Sequence, residues 1–303
     1  MPLIECIPNV SEGRRVEVIE AIAAAVRAAG AALLDVSRDA AHHRSVLTFA
    51  GEPDVVRRAV MAMFAAAMPA IDLRTHAGVH PRMGAIDVVP LVPLAGASLD
   101  DCAALARTIG ADVAERFHLP VFLYEAAASA IHRRPLEHVR RGQFEGLADK
   151  LRQPEWQPDF GPAVPHPTAG ATIIGARKPL IAFNVNLATD RLDVAKAVAR
   201  AVRQSSGGLP CVKALGLPLA DRGIVQVSMN LTDFRATSMA DAFRAVAAEA
   251  AHHGVAVLES ELIGLVPAEA LASAGAAALA LPRFKPEMLL EVQILSKSSG
   301  QGA

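Results

Sequence analysis

The feature that most constrains this chain is a switch between two periodicities that recurs in a fixed order. In "IAFNVNL", Phe183, Val185 and Leu187 alternate with Asn184 and Asn186; in "IVQVSMNL", Val225, Val227, Met229 and Leu231 alternate with Gln226, Ser228 and Asn230. Alternation with period two marks strands that keep one face on a core and one face polar. Between them, Val194, Val198, Ala201 and Val202 share one helical stripe, and "CVKALGL" reads as a further strand. A helix from about Met239 to His252 and the strand "VAVLESELIGLV" complete the order β-α-β-β-α-β. That order is the split βαβ of ferredoxin-like units.

The first half repeats it. "LIECIPNV" reads as a strand, Ser11 as the N-cap of a helix with Ile19, Ile22, Ala23 and Val26 at i, i+3, i+4 and i+7, and Gly30 as its stop. "ALLDV" and "RSVLTFAG" follow, Pro53 opens a second helix, and "AIDVVPLVPL" closes the unit. A helix from about Leu99 to Phe117 and the strand "PVFLYEA" extend it. The expected fold is α+β, with duplicated βαββαβ subdomains over 1–178 and 179–297 and a disordered tail over 298–303. "QPEWQPDFGPAVPHPTAGAT", dense in Pro and Gly, reads as an ordered crossing loop. With helices on one face of each sheet, Asn184, Asn186, Gln226, Ser228 and Asn230 would face either a ligand cleft or solvent.

Composition narrows the partners. The chain has 303 residues, 52% of them hydrophobic, enough for two cores. A net charge of −1 and an aromatic share of 4% supply neither a basic field nor stacking platforms, so nucleic acid is not an expected ligand. Cys6, Cys102 and Cys211 are odd in number, far apart and set among apolar residues, which suits reduced cysteines of a cytoplasmic protein. The N-terminus "MPLIECIPNV" has no signal-peptide pattern. The longest apolar run, Ala59 to Ile71, contains Pro69 and falls short of the roughly 18 residues a membrane span needs.

The chemistry concentrates in "RTHAGVHPRMG". His76 and His80 stand at the offset that zinc proteases use on a helix, but Gly78 lies between them and Pro81 disfavours helical geometry at His80. No Glu follows His76, so H-E-x-x-H is absent. A histidine that moves protons without a metal fits the pattern best; a loop histidine satisfied by backbone and a multi-histidine metal site with His42 and His43 stay open. Arg74, Arg82 and Asp87 bracket the segment. "GATIIGAR" lacks the Lys-Ser/Thr of a phosphate-binding loop and precedes a strand; it reads as a close backbone approach to a ligand at the domain junction, or a bare turn. "DAAHHRSV" packs Asp39, His42, His43 and Arg44 into one loop. No nucleophile elbow is present, and nothing suggests covalent catalysis.

The segments "CIPNVSEGR", "LLDV", "HRSVLTFAG", "HAGVHPRMGAIDVVPLVP", "VFLYEAAA", "PDFGP", "HPTAGATIIGARKPLIAFNVNL" and "QVSMNLTDF" together resemble the formiminotransferase family. The likeness runs in order from about residue 3 to about residue 297. It implies two ferredoxin-like subdomains with folate between their sheets, a homodimer, and formimidoyl transfer from N-formimino-L-glutamate to N5 of tetrahydrofolate in histidine breakdown. In animals this unit is the N-terminal part of a formimidoyltransferase-cyclodeaminase; the chain end at Ala303 suggests the single-function bacterial form. The family's proton-transfer histidine in "HPRMG" falls on His80. Its folate-binding stretch falls on Gly161, Pro162, Ala163, Val164, Pro165, His166, Pro167, Thr168, Ala169 and Gly170. Arg44, Arg74, Arg82, Arg177 and Lys178 become candidates for substrate carboxylates, and Asp39 a conceivable orienter of His80. The chain departs from the family pattern at His43, where Asn is common, and at Ala41, where related bacterial sequences often have Asp. Tetrahydrofolate is the expected co-substrate, with no metal, no nucleic acid and no membrane. The rival readings are formyl transfer between 5-formyltetrahydrofolate and glutamate, a non-catalytic folate-binding module, and a metal-dependent hydrolase.

Overall fold

Apolar residues spaced by three and four wind the first helix, α1 (Val16–Ala28), whose buried stripe is Ile19, Ile22, Ala23 and Val26. It belongs to the first of two units, Met1–Arg177 and Lys178–Ala303, in a computed structural model that describes residues 2–78, 81–272 and 275–299. The chain is α+β, with one sheet in each unit.

In the first unit α1 is preceded by β1 (Ile4–Cys6) and β2 (Asn9–Val10), and followed by β3 (Ala32–Asp39), β4 (Arg44–Gly51), α2 (Pro53–Ala67) and β5 (Ile86–Pro93). Then come α3 (Leu99–Phe117), β6 (Val121–Glu125), the short helices α4 (Leu136–Arg140) and α5 (Leu147–Leu151), and β7 (Thr172–Ala176). β1 and β2 both lie between β4 and β5, while β3 pairs with the other side of β4; all these pairings are antiparallel. Beyond β5 the sheet continues in parallel through β7 to β6. The chain therefore crosses from β5 through α3 to the edge strand β6 and returns to insert β7 between them. α1, α2 and α3 bury one sheet face around Phe49, Phe64 and Ile109. A capping box fixes the start of α3, where Ser98 accepts from the Asp101 N–H and Asp101 accepts from the Ser98 N–H.

Two expectations need correction here. "GATIIGAR" is not a bare turn: Thr172–Ala176 is a strand with all five residues buried. A strand flanked on both sides and covered on both faces shows no alternation, so periodicity cannot reveal it. Gly170 does mark a close approach, but to the protein itself: with φ +70°, a Cβ there would stand 2.1 Å from the Met83 carbonyl oxygen. Ser11 is not the helix cap, because α1 starts later, with Arg15 at its N-cap position. The buried Ser11 hydroxyl donates instead to the Gly84 carbonyl at 2.7 Å.

The second unit contains β8 (Ile181–Leu187), α6 (Leu192–Val202), β9 (Val212–Leu219), β10 (Ile224–Leu231), α7 (Met239–His252) and β11 (Val257–Ile263). Three helices follow: α8 (Ala268–Ala272), α9 (Gly275–Ala278) and α10 (Leu290–Ser299). Its sheet is antiparallel throughout, in the order β11-β8-β10-β9. α6 and α7 pack on the face of Phe183, Val185, Val227 and Met229. The opposite face carries a polar network. Gln226 Nε2 donates to Asn186 Oδ1 and Glu261 Oε1, both at 2.9 Å, Asn184 donates to Glu261 at 3.1 Å, and Asn186 donates to Glu259 at 3.2 Å. Asn184, Asn186 and Gln226 are buried, Ser228 is half-buried and Asn230 is exposed. Ser298 and Ser299, expected in a disordered tail, close α10; residues 300–303 lie outside those described. Cys6 and Cys102 are buried and Cys211 is partly exposed, all three as free thiols.

Candidate functional site

Three loops of the first unit meet beside its sheet. The turn from β3 to β4 places His43 in the left-handed region, φ 51°. His43 Nδ1 lies 3.2 Å from the Ala77 carbonyl oxygen and its Nε2 lies 3.1 Å from Glu12 Oε1. Each ring nitrogen therefore faces an oxygen of another loop. The ring stacks on His76 with centroids 4.2 Å apart and planes within 6°.

His76 is held just as closely. Arg82 Nε donates to His76 Nδ1 at 3.2 Å, which leaves the ring proton on Nε2, and Nε2 donates to the His43 carbonyl at 2.9 Å. Burial pushes the pKa of His76 down, and the accepted guanidinium bond suits the neutral ring. Arg82, 9% exposed at its side chain, forms a fork with Glu145 at 2.9 and 2.7 Å. The Glu145 carboxyl falls below its usual range, chiefly through that bond.

Glu12 anchors the third loop. Its side chain is 1% exposed, and burial by itself would raise its pKa. The backbone N–H groups of Arg15 and Arg14 and the Arg15 guanidinium more than offset that, bringing it down to about 2. Sequence reading missed Glu12 and Glu145. Glu12 stands inside "CIPNVSEGR" and carried a signal only as part of that motif; Glu145 carried none.

The expected site residues fall out as follows. His80 lies outside the described residues. The stretch Gly161–Gly170 runs beside the histidine segment: Thr168 accepts from the Leu73 N–H at 2.8 Å and Ala169 accepts from the Ala85 N–H at 3.0 Å. Ala163, Val164 and Pro167 are exposed, whereas Ala169 and Gly170 are buried anchors. His166 Nδ1 accepts from the Ala169 N–H at 3.1 Å, so its ring proton sits on Nε2; burial, then the charge of His118, lowers its pKa. Asp39 Oδ1 accepts from the backbone N–H groups of Ala41 and His42 and its Oδ2 meets His42 Nδ1 at 2.7 Å. Of the expected carboxylate binders, Arg74 forks onto Asp72, Arg82 onto Glu145, and Lys178 pairs with Asp233. Arg44 has its pKa lowered by burial and by nearby Arg140.

The fold and this cluster define a class: an α+β protein whose first unit gathers histidines, a guanidinium group and carboxylates from three loops into one paired network. Among the described residues no group of three or more His, Cys, Asp or Glu side chains could hold a metal ion. Two family models match the chain, the formiminotransferase domain, N-terminal subdomain, over residues 3–177 and the formiminotransferase domain over residues 182–281. The chain belongs to the formiminotransferase family. It is 44% identical over 270 residues to the glutamate formimidoyltransferase of Streptococcus pyogenes serotype M1, covering 89% of this chain and 90% of that one. It is 42% identical over 294 residues to the glutamate formimidoyltransferase of Thermoplasma acidophilum, covering 96% and 97%. To the formimidoyltransferase-cyclodeaminase of Rattus norvegicus it is 41% identical over 281 residues, 90% of this chain and 52% of that protein.

Proposed function

We propose that this protein transfers the formimidoyl group of N-formimino-L-glutamate to N5 of tetrahydrofolate and releases L-glutamate. The observation that carries this reading is its relation, over almost the whole of both chains, to two glutamate formimidoyltransferases. N5 attacks the amidine carbon, a tetrahedral intermediate forms, and the glutamate amine leaves. One proton must depart from N5 and one must reach the leaving nitrogen, work that suits an imidazole titrating near neutrality. His80 is assigned that role because "HPRMG" resembles the family's proton-transfer segment; His76 and His43 each have both ring nitrogens engaged. Gly161–Gly170 is assigned to folate, a role supported by its attachment to the histidine segment at Leu73 and Ala85.

The finer architecture belongs to the same reading: two ferredoxin-like repeats, 1–178 and 179–297. It is supported by a shared spatial order. In chain order within each βαββαβ repeat, the second strand lies beside the third, the third beside the first, and the first beside the fourth. A cytoplasmic homodimer completes the reading; among the described residues no helix is long and apolar enough to cross a membrane.

The test is absorbance of tetrahydrofolate with formiminoglutamate, with and without chelator, beside a second arm offering 5-formyltetrahydrofolate and glutamate. Turnover only in the first arm, unchanged by chelator, is expected. Turnover confined to the formyl arm, or activity lost on chelation and restored by zinc, would reverse the assignment. His80→Ala should lower kcat by about 10²–10⁴-fold while tetrahydrofolate still binds. A folded variant with kcat within about threefold of wild type lies outside that range and removes His80 from the chemistry.

A further inference from the structure

We infer that His43 is a positioning residue for the transfer reaction: its imidazole clasps the histidine segment to the β3–β4 turn and to Glu12. The inference rests on the reading of His80 above. The backbone between His76 and Gly78 has little of its own to hold it, being neither helix nor strand. What fixes it is reciprocal. His76 Nε2 donates to the His43 carbonyl at 2.9 Å, while His43 Nδ1 meets the carbonyl of Ala77 at 3.2 Å. The two rings lie face to face between these bonds, and Glu12 secures the far nitrogen of His43 at 3.1 Å.

The main chain is pressed close as well. A Cβ on Gly78 would stand 2.5 Å from the His42 carbonyl oxygen and 2.7 Å from His43 Cβ, so only glycine permits this approach. His43 is 14% exposed at its side chain, with no nitrogen left over for a substrate. Its geometry is that of a strut, and it acts through the segment it holds. Gly78 stands two residues before His80 in the chain. A reacting group carried on a displaced loop loses rate steeply, about 10²-fold for an ångström of misplacement.

The test compares wild type with His43→Gly and Gly78→Ala, all as full-length enzyme with folding checked by circular dichroism. Gly adopts the left-handed backbone of position 43 without strain but removes the ring, the stack and the bond to Glu12. Gly78→Ala presses on the same contact from the other side. Steady-state kinetics should show kcat reduced about 10- to 100-fold in both variants, with KM for each substrate within about threefold. Proton NMR should show the His76 ring resonances losing the upfield shift that the stacked His43 imposes. Wild-type kcat in either folded variant overturns the inference, as does a change confined to KM, which would mark His43 as a substrate contact. A His80→Ala enzyme that keeps wild-type kcat fails the proton-transfer reading and takes from His43 the group it would position, whereas an unmoved His76 resonance in His43→Gly fails this inference alone.

Discussion

Replacing Glu12 by Gln keeps the shape of the side chain and removes its charge, so the cost can be worked from the carboxylate's titration. In the folded protein Glu12 titrates at about 2 against an ordinary 4.5, although it is buried. At 1.36 kcal/mol per unit, that depression corresponds to about 3 kcal/mol of stability. The sign follows from a depressed acid. Stabilisation is complete above the unfolded value near 4.5 and disappears as pH falls towards the folded value near 2. Glu12→Gln should therefore lose about 3 kcal/mol at pH 7, and the gap to wild type should narrow steadily below about pH 4.5. Urea unfolding read by tryptophan fluorescence is the natural assay, because the single Trp of the chain, Trp156, lies in the same unit as Glu12. A loss at pH 7 within about 0.5 kcal/mol, the scatter of ordinary surface substitutions, would refute the reasoning. So would a gap of constant size between pH 7 and pH 2.5, which would mean that shape rather than charge carries the effect.

Two more outcomes follow from neighbouring residues. Lys150 Nζ donates to the carbonyls of His138, Val139 and Arg141 and lies 3.8 Å from the centre of the Trp156 ring. Lys150→Met should cost at least about 1.5–3 kcal/mol, the contribution of one hydrogen bond to a charged group, and should shift Trp156 emission; unchanged emission and stability would contradict these contacts. Arg82→Ala removes the donor to His76 Nδ1 and a nearby positive charge, so His76 should titrate closer to its ordinary value, as followed by NMR; a further fall in its pKa would contradict the arrangement.

The legibility of the fold varied with how its strands are covered. β8 and β10 each turn one polar face away from their helices, so their alternation was visible, and α3 and α7 match the bounds expected from apolar stripes and caps. β7 was illegible because both its faces are buried. α4 and α5, five residues each, are too short for periodicity to declare them. At the site, sequence reading singled out His42, His43, His76 and Arg82 as types but could not join them. Glu12 and His43 are 31 residues apart, and Arg82 and Glu145 are 63 apart. Only tertiary pairing brings such residues together. Asp39 is the local counterpart, since its partner His42 stands only three residues away.

The late insertion of β7 sets a timetable for a growing chain. β5 and β7 are parallel neighbours, so the segments that precede them, one with the histidines and the other running through Gly161–Gly170, arrive at the same end of the sheet. Until residue 176 has left the ribosome, β5 lacks that neighbour and the bonds at Leu73 and Ala85 have no partner to close on. At about 5–20 residues per second, the stretch from β5 to β7 takes several seconds to synthesise. During that interval β5 and β6 are two unjoined edges, the kind of surface that invites wrong pairing. Nascent chains halted before β7 should accordingly be the ones that aggregate or recruit chaperones, and release of that burden should coincide with the first moment at which the two segments can touch.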